Sequence, residues 1–162
     1  MSNVAVVTIG GSTVTSQIRN GSVRIDDVIN EAPNTATFIL DGSSAPSVTA
    51  EVKIGLGDVT TANLIFAGHI VSVREFYEGR KANAAWEVQC QDYTFLFNQY
   101  RPRQVFTAVS ASTVATALVS NFSLTFTSTN VQASLPTVSI TFDGSEDMAT
   151  CLTRLAALAG AY

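Results

Sequence analysis

Residues 86–98 read Trp-Glu-Val-Gln-Cys-Gln-Asp-Tyr-Thr-Phe-Leu-Phe-Asn: apolar and polar side chains alternate as far as Gln91, then an Asp-Tyr pair leads into an aromatic block. A repeat of two is the signature of a half-buried strand. Trp86, Val88 and Cys90 fall on one face, and Glu87, Gln89 and Gln91 on the other. An exposed Asp92 beside Tyr93 could be an acid–base pair, or it could be a corner where the strand ends. The corner is the favoured reading. There the Asp92 carboxylate would accept hydrogen bonds from the backbone of the following turn, and Tyr93 would pack its ring while its hydroxyl finds a partner. Phe95, Leu96 and Phe97 are then expected to close one end of a small barrel.

The strand before it is longer. Asn63 to Glu78 is joined to Ala84 to Tyr93 through Gly79-Arg80-Lys81-Ala82-Asn83, a long hairpin. Simple alternation puts Leu64, Phe66 and Ile70 on one face and Ile65, Ala67, His69, Val71 and Val73 on the other. Both faces are apolar, so one is expected to line the core and the other to meet a partner subunit or a second domain. The candidate interface is Ile65, His69, Val71 and Val73, with Arg80 and Lys81 at the loop tip.

Further short β-branched runs surround this hairpin. Val4 to Ile9 and Thr13 to Arg19 flank Gly10-Gly11, Asn20-Gly21 leads into Ser22 to Ile25, and Ala36 to Leu40 and Glu51 to Leu56 follow. Short strands at this spacing predict a small barrel or sandwich. After Arg101-Pro102-Arg103 the pattern changes. Ser110 can cap a helix whose apolar positions Ala111, Val114, Ala115, Leu118, Val119 and Phe122 make one stripe. Strands at Leu124 to Thr127 and Val138 to Phe142 are expected next. A last helix opens near Glu146-Asp147, buries Met148, Cys151, Leu152, Leu155 and Ala159, and stops at Gly160. The fold class is therefore mainly β with an α+β C-terminal part: a β-barrel domain over 1–107 and a helix–strand–helix segment over 108–162 that starts an incomplete second α/β domain.

Composition narrows the function. In 162 residues, 46% are hydrophobic and only 14% charged, which suggests a surface that meets other protein. No apolar run approaches the roughly 18 residues of a membrane span, so membrane insertion is not expected. The net charge of -4 argues against a phosphate-gripping nucleic-acid binder. Met1 to Val7 lacks the basic and apolar regions of a signal peptide, which predicts synthesis in the cytoplasm. Cys90 and Cys151 lie far apart without metal-ligand spacing, so neither a metal site nor a disulfide is expected.

Catalytic ingredients are sparse. His69 is the one histidine and sits among apolar neighbours; there is no Gly-x-Ser-x-Gly elbow; and Gly55-Leu56-Gly57 lacks the rest of a dinucleotide loop. Asp26-Asp27 reads as a solvated turn and Glu146-Asp147 as a helix start. Neither catalytic residues nor a cofactor are expected, and the chain is not expected to be an enzyme.

The order Phe66-Ala67-Gly68-His69-Ile70, long hairpin, Trp86 to Thr94, a helix after Val105 to Ser112 and a second helix ending Leu155 to Gly160 resembles the N-terminal part of bacteriophage tail baseplate hub proteins, whose fold type VI secretion spike proteins share. The resemblance runs from about Val4 onward. It implies a structural virion protein, a homotrimeric ring joining the tail tube protein to the tail tip or spike protein, with DNA passing through the lumen without specific binding. Members of that family continue with another strand and a second barrel, so this chain is expected to be a shortened hub or a fragment of one. Two other classes remain: a carbohydrate-binding or host-adhesion module of a tail, and a component of a cell-wall hydrolase.

Overall fold

The computed structural model describes residues 5–28, 33–76, 84–121 and 128–160. The chain forms two compact units, Met1–Tyr93 and Thr94–Tyr162. The stretch 103–107, which the sequence reading placed with the first barrel, lies in the second unit.

In the first unit the strands are β1 (Ala5–Ile9), β2 (Ser12–Thr13), β3 (Arg24–Asp26), β4 (Thr35–Asp41), β5 (Glu51–Leu56), β6 (Leu64–Phe76) and β7 (Ala85–Asp92). They form one antiparallel sheet in the order β2-β1-β5-β6-β7-β4-β3. Its inner face gathers Val7, Phe38, Val52, Ile54, Phe66, Ile70, Val88 and Cys90 into a single buried cluster. Trp86 packs against that cluster and donates its indole N–H to Gly42 O at 3.1 Å.

Among the described residues the sheet is not closed into the expected barrel, because no ladder joins the two edge strands β2 and β3. The reason lies in residues 12–26. Instead of the strand predicted over Thr13 to Arg19, two residues pair with β1, a 3-10 turn follows at Thr15–Gln17, and the chain then runs alongside β4. Side-chain oxygens stand in for the missing ladder. Thr15 Oγ1 accepts from Val7 N at 3.0 Å, and Ser22 Oγ accepts from Ile39 N at 3.1 Å. One bent segment thus connects the two ends of a curled sheet.

The register of β6 corrects its predicted faces. Ile70 pairs with Cys90 but Ser72 pairs with Gln89, so Val71 is an extra residue, a β-bulge. Beyond it the alternation changes phase, and Val73 pairs with Val88 and packs on the core instead of facing a partner. A second bulge opposite Ile54 and Gly55 makes Ile65 the extra residue and leaves it 45% exposed.

The second unit has α1 (Thr94–Gln99), β8 (Arg103–Ser110), α2 (Ala111–Ser120), β9 (Thr137–Asp143) and α3 (Met148–Ala159). Phe95, Leu96 and Phe97 therefore lie on a helix, and Phe97 packs on this unit's core rather than serving as the plug of a barrel. β8 and β9 form an antiparallel pair. Ala111, Val114 and Leu118 of α2 and Met148, Cys151 and Leu155 of α3 cover one face of it, with Val138, Ile140 and Phe142.

Both helix starts follow their residues. Ser110 Oγ accepts from Thr113 N at 3.2 Å, and Asp147 Oδ1 accepts from Thr150 N at 2.8 Å, so Asp147 is a cap rather than a first-turn residue. Gly160 ends α3 at φ 63, in the left-handed region where a side chain is unfavourable. The expected strand at Leu124 to Thr127, Phe122, and the loop carrying Arg80 and Lys81 lie outside the described residues.

Candidate assembly surface

The Asp92-Tyr93 pair separates at the end of β7. Asp92 turns to the start of β4: its N–H donates to Asn34 O at 2.9 Å, and its Oδ2 accepts from Asn34 N at 3.1 Å. Gly68 of β6 lies opposite Asp92. A Cβ on Gly68 would stand 2.0 Å from Gln91 O and 2.7 Å from Asp92 Cα, which explains why glycine is found at the centre of Phe-Ala-Gly-His-Ile.

Tyr93 turns the other way and donates its hydroxyl to Glu51 Oε1 on β5. Its ring meets the His69 ring edge-on, with centroids 5.4 Å apart. His69 Nδ1 donates to Thr49 O at 2.9 Å, and Thr49 itself is held at φ 75 with its N–H on Ile70 O at 2.8 Å. Lys53 Nζ completes the group, 3.0 Å from Glu51 Oε2. Burial, then the bond to Glu51 and its charge, raise the Tyr93 phenol well above its ordinary range. The Tyr93 bond lowers the Glu51 carboxyl. The shifts lock the proton on the phenol and keep the carboxylate charged. Such a pair fastens β5 to the end of β7; it is a poor proton shuttle near neutral pH.

Three other side chains, Cys90, Cys151 and Asp143, are held by burial or local bonds. Burial pushes the Cys90 thiol up to about 12 and raises that of Cys151, and both are free thiols. The Asp143 carboxylate, bonded to the Ser145 hydroxyl and N–H, is lowered. Among the described residues no three His, Cys, Asp or Glu side chains gather so as to hold a metal ion, and no helix is long and apolar enough to cross a membrane.

Of the sequence-predicted interface, Ile65 faces outward, His69 and Val71 are half-buried, and Val73 is half-buried with its side chain packed against the core. Leu56, 41% exposed, lies near Ile65 at the same end of the β5–β6 hairpin. The sequence reading missed Val105. On β8 it is 70% exposed, the most exposed large apolar side chain described. Its signal was present in Arg-Gln-Val-Phe-Thr, where Val105 and Phe106 are adjacent apolar residues that a strand must send to opposite faces.

The fold places the chain among known structures. A 43 kDa tail protein of prophage MuSo2 from Shewanella oneidensis superimposes over 96% of this chain with a TM-score of 0.68 at 12% identity. Its fold is that of phage tail proteins. A tail protein from Neisseria meningitidis MC58 matches over 94% of the chain with a TM-score of 0.62 at 14% identity. An Escherichia coli component of the type VI secretion system, described as structurally similar to the T4 bacteriophage tail proteins gp27 and gp5, matches over 86% with a TM-score of 0.56 at 14% identity. This chain spans 49%, 45% and 41% of those three chains, respectively. No protein-family model and no curated protein matches the sequence.

Proposed function

We propose that the chain is a structural component of a phage-type tail, a hub-type module joining the tail tube to the tip or spike and working as a ring of three. The observation that carries this reading is the match to two tail proteins over 94–96% of the chain, which takes in both units. In this reading the curled sheet is the tube-side module and the second unit begins a further domain. The ring surrounds a lumen through which DNA passes without specific contacts, in keeping with 13 acidic against 9 basic side chains.

The role is structural rather than catalytic. The Asp92-Tyr93 pair supports this, since each member is bonded to a different strand and the phenol and carboxylate shifts oppose proton transfer. The test is to inactivate the reading frame in its parent genome and view the particles by electron microscopy. Tails lacking their tip region, restored when the gene is supplied in trans, are expected. Normal infectious tails without the protein would overturn the reading. So would clearing of host cell walls in zymography that is lost on His69→Ala or Asp92→Ala.

A further inference from the structure

Asn20-Gly21 is the one Asn-Gly step in the chain, and both residues are exposed. They form the middle of a turn that the Ser22 N–H closes on Arg19 O at 3.1 Å. Gly21 holds φ 73, and nothing lies within 4 Å of where a Cβ would stand on it. Among the described residues, neither the Asn20 side-chain amide nor the Gly21 N–H has a hydrogen-bond partner.

An asparagine followed by glycine can react with its own backbone. The Gly21 nitrogen, on losing its proton, attacks Asn20 Cγ; the new N–Cγ bond closes a five-membered succinimide, and the side-chain nitrogen leaves as ammonia. Water then opens the ring at one of its two carbonyls. Addition at Cγ restores the ordinary backbone with aspartate at position 20, and addition at the α carbonyl leaves isoaspartate, whose main chain runs through the side-chain carbon. The overall change is amide plus water to acid plus ammonia, with no other reactant. A side chain on the second residue crowds the attack, and glycine has none. Two other described asparagines, Asn34 and Asn63, differ in both respects: they precede Thr35 and Leu64, and their amides are held. Asn34 Oδ1 accepts from Val28 N at 2.8 Å, and Asn63 Nδ2 donates to Asp58 Oδ1 at 3.0 Å.

We infer that Asn20 is a site of spontaneous covalent modification, and that its conversion to isoaspartate loosens the segment connecting the two ends of the curled sheet. The link is Ser22. Its hydroxyl donates to Arg19 O at 2.7 Å and accepts from Ile39 N at 3.1 Å, while Arg19 N donates to Ile39 O at 2.9 Å. Isoaspartate adds a main-chain carbon between Arg19 and Ser22, so the turn loses the spacing that sets these bonds.

The test ages the intact chain in mildly alkaline buffer and follows the proteolytic peptide containing position 20 by mass spectrometry, with freshly purified protein digested alongside as the baseline. That peptide should acquire the mass of the acid in two separable forms, isoaspartate the larger, while the peptides carrying Asn34 and Asn63 keep their amides. Asn20→Gln, which would have to close a six-membered ring, should convert slower by about tenfold or more. In hydrogen exchange, the Ile39 amide of aged wild type should exchange faster than in fresh protein, and that of aged Asn20→Gln should not. No acid at position 20 under conditions that convert a free peptide of residues 17–24 overturns the site, because the turn then protects it. Acid gained equally at Asn34 or Asn63 overturns it as well, since neither glycine nor the unbonded amide then selects. Conversion that leaves Ile39 exchange unchanged overturns the coupling to the sheet.

Discussion

β6 and β8 each carry an extra residue against a regular partner, and each thereby holds two side chains three positions apart against one core. In β6 these are Ile70 and Val73, either side of Val71; in β8 they are Phe106 and Val109, either side of Thr107 and Ala108. The surroundings differ. β6 pairs with β5 only as far as His69 and with β7 from Gly68 to Phe76, and Val71, past the end of the β5 ladder, keeps an ordinary negative φ. β8 has only β9 as a partner among the described residues, and Ala108 adopts φ 50 with its N–H on Ser139 Oγ at 3.0 Å. The β6 bulge is absorbed without a left-handed residue, whereas the β8 bulge uses one left-handed residue and one side-chain acceptor.

The contrast breaks most severely where β6 and β7 approach most closely. Gly68→Ala places a methyl group against the backbone of Gln91 and Asp92, atoms that cannot step aside without moving β7 and the Asn34 contacts of Asp92. The expected loss is on the order of 3 kcal/mol or more of folding stability, read by chemical denaturation. A variant that unfolds at the wild-type midpoint would show that this approach is looser than the geometry requires.

How much could be read from the residues follows from the same two strands. β6 is long enough for its alternation to reveal a strand from sequence, but nothing in Ile-Val-Ser-Val marks Val71 as the extra residue. Simple alternation therefore inverts the faces beyond it and sends Val73 outward. In β8 the alternation breaks after only a few residues, and Val105-Phe106-Thr107-Ala108-Val109 did not register as a strand at all. Capped helices were more legible, because Ser110, Asp147 and Gly160 act through local hydrogen bonds and local φ values. The failure of the barrel to close was not legible, since it depends on a 3-10 turn at Thr15–Gln17 and on hydroxyls that mimic a ladder. The exposed Val105 depended on knowing that β8 exists.

The bulge in β6 makes a smaller and more selective prediction. Val73→Asp buries a carboxylate beside Val88 and should cost about 3 kcal/mol, while Val71→Asp, at the bulge, should cost less than half as much. Denaturation midpoints of the two variants decide between this phase and simple alternation, in which Val71 and Val73 share a face and respond alike. Equal losses would remove the bulge from the account of β6.

The smallest effect is a reversal of sign under one kind of substitution. Ala108 carries a Cβ at φ 50, a conformation that costs an L-residue roughly 1 kcal/mol or more and a glycine almost nothing. Glycine also loosens the unfolded chain, which takes back part of that gain, so Ala108→Gly should stabilise the second unit by roughly 0.5 kcal/mol. Val71 has no such strain to release, and Val71→Gly gives up a half-buried β-branched side chain in a strand, for an expected loss of about 1 kcal/mol. Ser139→Ala checks the cause: with the Ala108 N–H losing its hydroxyl acceptor, the left-handed turn should weaken by up to about 1 kcal/mol. Thermal unfolding of the three variants, compared with wild type, reads all the signs at once. If Ala108→Gly lowers the midpoint as Val71→Gly does, the two bulges are held in the same way and the contrast between them disappears.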